Sequence, residues 1–278
     1  MDAFLIDHEL ALRAGIFVGV LMICGLAEAI RPRRSRRQGR WRRWPINAAM
    51  VALGAIGIRL LVPVLTVAAA LWADRLGLGL LNWCPVPEAL AIILGFVALD
   101  FSIYAQHVAL HHVPVLWRLH KIHHTDLDLD VTSALRFHPG EFIFSAAYKG
   151  AIAVAVGAPA AAVILVEVVL NAMAVFNHAN LRLPGPADRL LRRVFVTPDV
   201  HIVHHSAVET ETNSNFGFNL ILWDKLFGTY KPAPKAGPVA LTIGLSEEQD
   251  GRRLGLRRLL AMPFDRANRK AEQASVEP

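Results

Sequence analysis

Cysteine is scarce in this chain: Cys24 and Cys84 are the only two among 278 residues. They lie far apart in apolar or loop settings, which excludes a disulfide framework, a thiolate metal motif and an iron–sulfur cluster. A His-Glu-x-x-His run is also missing, and with it the usual helical signature of hydrolytic zinc. No repeat of solenoid period occurs. No heme-binding domain, flavin fold or nucleic-acid recognition module is visible either. The formal net charge of +6 therefore reads as arginine beside anionic lipid, with no nucleic-acid partner.

Apolar sequence is plentiful. Hydrophobic residues make up 54% of the chain and the mean hydropathy is +0.39, more than a soluble core requires. The stretches Leu10 to Ile30, Ile46 to Ala73 and Glu88 to Leu110 are each long enough to cross about 30 Å of hydrocarbon as a helix. A fourth block, Phe142 to Phe176, is interrupted by Gly157-Ala158-Pro159. Proline removes a helix donor and glycine favours a turn, so two helices of a hairpin are expected there. The expected fold is all-α, a polytopic membrane helical bundle with a cytosolic helical cap.

The start of the chain carries Asp2, Asp7 and Glu9 where a signal peptide is positive, and no small-residue cleavage site follows Ile30. The first span is thus expected to be retained. Eight arginines crowd Arg31 to Arg43, and the positive-inside rule puts that loop in the cytoplasm and the N-terminus outside. The second span then exits, the loop from Asp74 to Pro87 lies outside, and the third returns. Residues 1–230 are read as the membrane domain, its motifs lying in 100–230, and 231–278 as an interfacial or flexible tail. The Ala- and Arg-rich composition suggests a bacterial inner membrane, or the endoplasmic reticulum in a eukaryote.

The most informative feature is a five-residue word written twice, His120-Lys-Ile-His123-His124 and His201-Ile-Val-His204-His205, with His107, His111, His138 and His178 around it. On a helix, positions i, i+3 and i+4 share a face, so each word can aim three imidazoles at one point. His107 and His111 are also i and i+4. One tetrahedral ion takes about four ligands, so this many imidazoles points to a di-metal site in the cap. Imidazole accepts zinc, copper, iron or nickel, and ligand type alone does not choose among them. The span count brings all these histidines to the cytosolic face, which disfavours a metal carrier with ligands along a path across the bilayer. A zinc hydrolase or isomerase remains open, although neither word contains a carboxylate.

Asp100 through Pro139, with D-F-S-I-Y-A-Q-H-V-A-L-H-H-V-P-V-L-W-R-L-H-K-I-H-H-T and D-V-T-S-A-L-R-F-H-P, resembles the fatty acid hydroxylase/sterol desaturase family of membrane di-iron enzymes. Thr197 to Ser206, Asn213 to Gly217 and Trp223 to Tyr230 are similar to that family's second half. The resemblance implies two irons per chain with O2 as co-substrate, and a lipid C–H bond hydroxylated or desaturated. It also implies ligation by His107, His111, His120, His123, His124, His178, His201, His204 and His205. His138, in a loop, is a tenth participant or positions a ligand. Val108 stands where the family often has arginine, and Phe-Asn-His178-Ala-Asn has one histidine where fatty acid 2-hydroxylases have two, a sterol-desaturase-like trait. Electrons should come from a separate ferredoxin, cytochrome or reductase docking on the basic cap. Sterol, hopanoid, fatty acyl, alkylglycerol and carotenoid substrates all stay open.

Four further residues are candidates for holding ligands or a water near the metal: Asp100, Asn177, Asn180 and Asp224. Asp100, costly within an apolar span, either supports a ligand histidine or joins two helices. Arg59 could pair with Glu28 or Asp100, and Glu167 either packs or faces a substrate cavity. His112 points about 100° away from His111 on a helix and is read as a surface residue. Trp223, Phe227 and Tyr230 are expected to anchor the cap at the interface.

Overall fold

The computed structural model describes residues 2–62 and 66–265, and among these every regular element is a helix. A short α1 (Asp2–Asp7) leads into α2 (Glu9–Ile30), followed by α3 (Arg40–Leu61), α4 (Thr66–Arg75), α5 (Glu88–His112), α6 (Pro114–His124), α7 (Pro139–Val156) and α8 (Ala160–His178). The cap continues with α9 (Gly185–Leu191), α10 (Pro198–His204), α11 (Glu209–Thr212), α12 (Leu222–Leu226), α13 (Gly237–Ala240) and α14 (Leu256–Ala261). Four of the helical stretches are long and apolar enough to cross a membrane. Their outer faces are greasy: Met22, Ile23, Leu26 and Ile30 on α2 are 64–69% exposed. Such a stripe belongs against lipid.

The apolar run from Ile46 to Ala73 builds two helices, α3 and α4, which together make one broken traverse alongside α7. At its far end the loop through Gly79 closes on the α7–α8 turn. A Cβ on Gly79 would lie 2.2 Å from the Gly157 nitrogen. Gly157 takes the left-handed conformation, φ +67°, that ends α7, and Pro159 caps the start of α8. The Gly-Ala-Pro break thus turns the chain back as a hairpin, at the end of the bundle away from the histidines. Polar groups within the bundle pair with one another. Glu167 of α8 takes Arg13 of α2 at 2.8 Å and Lys149 of α7 at 3.2 Å, so it is a packing contact between helices. Arg59 is exposed and pairs with neither Glu28 nor Asp100, whose partners lie elsewhere.

The arginine-rich loop turns inward. Arg43 is 2% exposed and bonds Asp126 at 2.6 and 2.7 Å and Asp130 at 2.6 Å. Arg36 and Arg40 reach the buried Glu28, Arg33 reaches Asp199, and Arg34 takes the carbonyls of Pro238 and Leu241. Asp128 accepts the backbone N–H groups of Arg37 and Gln38. Burial alone would raise the Asp126 carboxyl, but the Arg43 and Arg136 guanidiniums hold it at about 2. Five of the eight arginines, Arg33, Arg34, Arg36, Arg40 and Arg43, thus find partners within the protein, and Arg43 takes the aspartates directly after the first histidine word.

The segment expected to lie at the interface packs into the cap as far as it is described. Leu254, Leu259 and Met262 are buried against Met50, Ile122 and Leu127, while Leu241 and Ile243 pack on Leu129 and Ile202. Ile122 and Ile202 are apolar residues inside the two histidine words. The C-terminal segment thus seals the backs of both. The frayed end expected after it, 266–278, lies outside the described residues.

Candidate metal centre

Four helix ends meet in the cap. α5 delivers His107 and His111 in its last two turns, and after one residue, Val113, Pro114 starts α6 at its first position. Pro needs no hydrogen-bond partner there and fixes the helix start, so His123 and His124 fall in the last turn of α6 and His120 just before it. His178 ends α8. Pro198 starts α10, which carries His201 and His204, with His205 at its C-cap.

These nine side chains form two groups, His107, His111, His120, His124 and His204 in one, and His123, His178, His201 and His205 in the other. All nine residues are at most 8% exposed. The groups share a wall: the His124 and His205 rings stack with centroids 4.7 Å apart. Within them Nε2 atoms face one another at 3.1 Å for His107 and His120, 3.0 Å for His123 and His178, 3.1 Å for His178 and His201, and 3.2 Å for His201 and His205. Two nitrogens bound to one ion at 2.0–2.1 Å, with angles between 90° and the tetrahedral value, stand about 2.9–3.4 Å apart. The spacing fits a metal in each group.

Proton bookkeeping leads to the same conclusion. The Nδ1–H groups of six imidazoles are placed to donate to oxygen: His107 to Phe216 O at 2.7 Å, His111 to Asn213 Oδ1 at 3.1 Å, His120 to Glu141 Oε1 at 2.8 Å, His123 to Arg136 O at 3.3 Å, His178 to Ala174 O at 2.7 Å and His204 to Ser214 O at 2.8 Å. With Nδ1 donating, each Nε2 offers only a lone pair. The facing Nε2 atoms of His107 and His120 therefore have no proton to share, and Nε2 of His111 and His204 is buried with no partner at all. Burial first, and repulsion among neighbours second, push His120, His123, His124, His201, His204 and His205 well below the usual imidazole range. Neutral imidazoles with converging, unused lone pairs are what a divalent cation requires.

The loop 213–217 supplies three of those oxygens and is held in an uncommon shape. Asn215 sits at φ +52°, with its amide on Val200 O and Lys231 O. Asparagine tolerates that region better than most residues. Gly217 follows where a Cβ would lie 2.7 Å from Asp224 Oδ2. Asp224 accepts from the Phe216 and Gly217 backbone N–H groups and from the Thr229 hydroxyl, at 2.7–2.9 Å. It fixes the carbonyl that holds His107, and it touches no histidine itself.

Other expected participants are placed elsewhere. His138 belongs to neither group: it is the N-cap of α7, its Nδ1 accepting from Gly140 N at 3.0 Å, because Pro139 starts that helix. Asp100 accepts from Asn219 Nδ2 at 2.8 Å and Trp223 Nε1 at 2.7 Å, so it ties the span to the cap and supports no histidine. That bond also turns the Trp223 ring inward from the expected interface role. Asn180 spends both ends of its amide on the Arg34 backbone. Asn177 donates to Phe218 O at 2.7 Å, and its Oδ1 has no partner. His112 is exposed, as its helical position requires.

Glu141 is the functional residue that the sequence hides. It stands 4% exposed in the first turn of α7, where an acidic residue is unremarkable, and only the folded chain brings it to His120. Beside it a cavity of about 110 Å³ lies between α5, α7 and α8, with His107 and His120 on its wall and Ile103, Leu110, Phe142 and Leu170 among its apolar lining.

The fatty acid hydroxylase family model matches residues 92–229. An ornithine lipid hydroxylase of Rhizobium tropici is 34% identical over 185 residues, 66% of this chain and 53% of that protein. Alkylglycerol monooxygenases of Xenopus tropicalis and Homo sapiens are 32% and 29% identical over 50% and 49% of the chain. The chain spans about half the length of the first relative, and 30% and 29% of the other two. No solved structure matches it. Histidines gathered at the ends of apolar helices, together with the matched segment that carries all nine, place the chain in the fatty acid hydroxylase family.

Proposed function

We propose that this chain is an oxygen-dependent di-iron hydroxylase of a lipid C–H bond, working at the cytosolic face of a membrane. The observation that carries the reading is the apolar cavity walled by His107 and His120, since a lipid carbon lying there would sit against the first histidine group. His107, His111, His120, His124 and His204 would hold one iron and His123, His178, His201 and His205 the other. Bound there, the pair would supply reduction of dioxygen and hydrogen abstraction from an unactivated carbon.

The chain's own residues prepare the site. Phe216, Arg136, Ala174 and Ser214 carbonyls, with Asn213 and Glu141, fix ring orientation and tautomer, so little rearrangement accompanies loading. The apolar lining excludes bulk water and positions the chain of the lipid. Electrons come from a separate ferredoxin, cytochrome or reductase. Hydroxylation is favoured over desaturation because the relatives bear the names hydroxylase and monooxygenase.

The test is metal analysis with Mössbauer spectroscopy on the purified protein, followed by lipid turnover under isotopic dioxygen with a chemical reductant. Two irons per chain and label in the product are expected. One zinc that persists through iron-replete anaerobic preparation, with conversion that needs neither oxygen nor reductant, would overturn the reading in favour of a hydrolase or isomerase.

A further inference from the structure

The cavity wall carries a buried amide donor that neither the metal groups nor a neighbouring side chain uses. Gln106 precedes His107 on α5 and is 5% exposed, and it lines the cavity together with Ser145 of α7. The Ser145 hydroxyl donates to Gln106 Oε1 at 3.3 Å, which turns the amide so that its NH2 end is the free one. That Nε2 is buried and has no partner. Among the other polar groups on the wall, Glu141 also keeps a buried oxygen without a partner, Oε2. Glu141 holds His120 through Oε1, and Lys149 is paired with Glu167, which Arg13 also reaches.

A buried, unpartnered donor in an apolar cavity costs free energy unless a ligand supplies an acceptor. The position adds a distance constraint, because Gln106 adjoins a residue of the first metal group. Building on the hydroxylase reading, we infer that Gln106, oriented by Ser145, is the specificity-determining residue of this cavity. It binds an acceptor oxygen, the carbonyl of an amide or ester or the oxygen of an ether, lying a few bonds from the carbon to be oxidised. A plain hydrocarbon would leave the donor unpaired and is discriminated against; a site that hydrogen-bonds its substrate rejects analogues that lack the group.

The experiment is competitive photolabelling of the iron-loaded full chain in phosphatidylcholine nanodiscs without oxygen. The probe is a 16-carbon N,N-dimethyl amide carrying a diazirine on its chain, and the competitors are N,N-dimethylpalmitamide and heptadecane. Label is expected on the α5 and α7 peptides, with the amide competing about tenfold better than the hydrocarbon, the effect of one neutral hydrogen bond. In Gln106→Leu the preference should fall below about threefold, with Ser145→Ala between the two. Gln106→Met, of nearly the same length and without an N–H or O–H donor, should also abolish it, which covers a Leu variant that fails to fold. Equal competition in the unmodified chain, or an unchanged ratio in an iron-replete Gln106 variant, would overturn the assignment. Because labelling needs no turnover, a chain that shows the preference yet oxidises no lipid fails the hydroxylase reading alone.

Discussion

Two buried polar clusters lie next to each other in the cap, joined by the single residue between His124 and Asp126, and they are built on opposite principles. In the clasp, Arg43 makes five hydrogen bonds, to Asp126, Asp130, the Asp128 carbonyl and Ser133, and no donor nitrogen of this guanidinium is left over. In the histidine centre, five imidazole nitrogens stay buried without a partner, those of His111, His124, His201, His204 and His205. A cluster that satisfies itself stabilises the fold. Three of the five unpartnered nitrogens are Nδ1 atoms, of His124, His201 and His205, but the Nε2 lone pairs of the cluster, side by side at 3.0–3.3 Å, store a demand that an added cation meets. The difference teaches which buried polar groups to read as architecture and which as function.

The largest expected effect comes from breaking the clasp. Arg43→Met removes the one cation bonded to both Asp126 and Asp130 in the interior, a loss of about 3–5 kcal/mol, enough to abolish most folded protein in detergent. Arg43→Lys keeps the charge but cannot make the bidentate contact to Asp126, and it should recover only part of the stability. Chemical denaturation of the solubilised protein measures both. The sign on the acid side follows from Asp126. Its folded value, about 2, lies below the ordinary 3.8, so its contribution is fully present above about pH 4 and is lost as pH falls through about 2.

Removing a histidine should do the reverse, sparing the fold and emptying the site. His204→Ala lies in the first group and His201→Ala in the second. Each is expected to lose about one of two metal ions per chain by elemental analysis; in the metal-free protein His201→Ala removes an imidazole whose Nδ1 has no partner, whereas His204→Ala also leaves the Ser214 carbonyl unpaired, a cost of about 1–3 kcal/mol. Loss of both ions from either variant would mean that the groups act as a single site, and would break the division into five and four ligands.

Asp224 lies between the two kinds of cluster. Its carboxylate is fully bonded, as in the clasp, but what it holds is the Phe216 carbonyl that orients His107. Asp224→Ala should therefore cost about 2–3 kcal/mol from lost charge-assisted hydrogen bonds, and also weaken metal binding by about 10- to 100-fold. Denaturation and metal titration on the same sample separate the two effects.

How much of this was legible beforehand depends on distance along the chain. The histidine words, the hairpin break at Gly157 and the apolar spans are local patterns, and their helices formed where those patterns put them, except that the run from Ile46 to Ala73 is divided between α3 and α4. The clasp was written in plain view as arginines at 31–43 and aspartates at 126, 128 and 130. Its pairing joins residues about 80–90 apart, however, and charge beside a span reads equally well as a lipid contact. Glu141 and Gln106 were invisible for a related reason: a first-turn glutamate and a mid-span glutamine are ordinary in isolation, and only packing of α7 on α5 and α6 gives them partners. Asp100 was noticed for its depth, and depth alone did not reveal that its partners, Asn219 and Trp223, lie more than a hundred residues on.

The smallest expected effect tests the boundary between the centre and its surroundings. His138 shares the sequence neighbourhood and residue type of the metal groups, yet its Nδ1 accepts the Gly140 N–H as a helix cap, and its Nε2 lies 3.4 Å from the Leu260 carbonyl. A cap of this kind is worth about 1 kcal/mol. His138→Ala should lower stability by about that much, while His138→Asn, a strong capping residue, should restore most of it, and both should retain the full metal content. The pair of variants asks whether membership of the site follows from being a histidine in the motif or from facing the converging lone pairs. Metal lost in His138→Asn while the helix stays capped would extend the centre to a tenth imidazole and undo the contrast between self-satisfied and unmet polar groups at its edge.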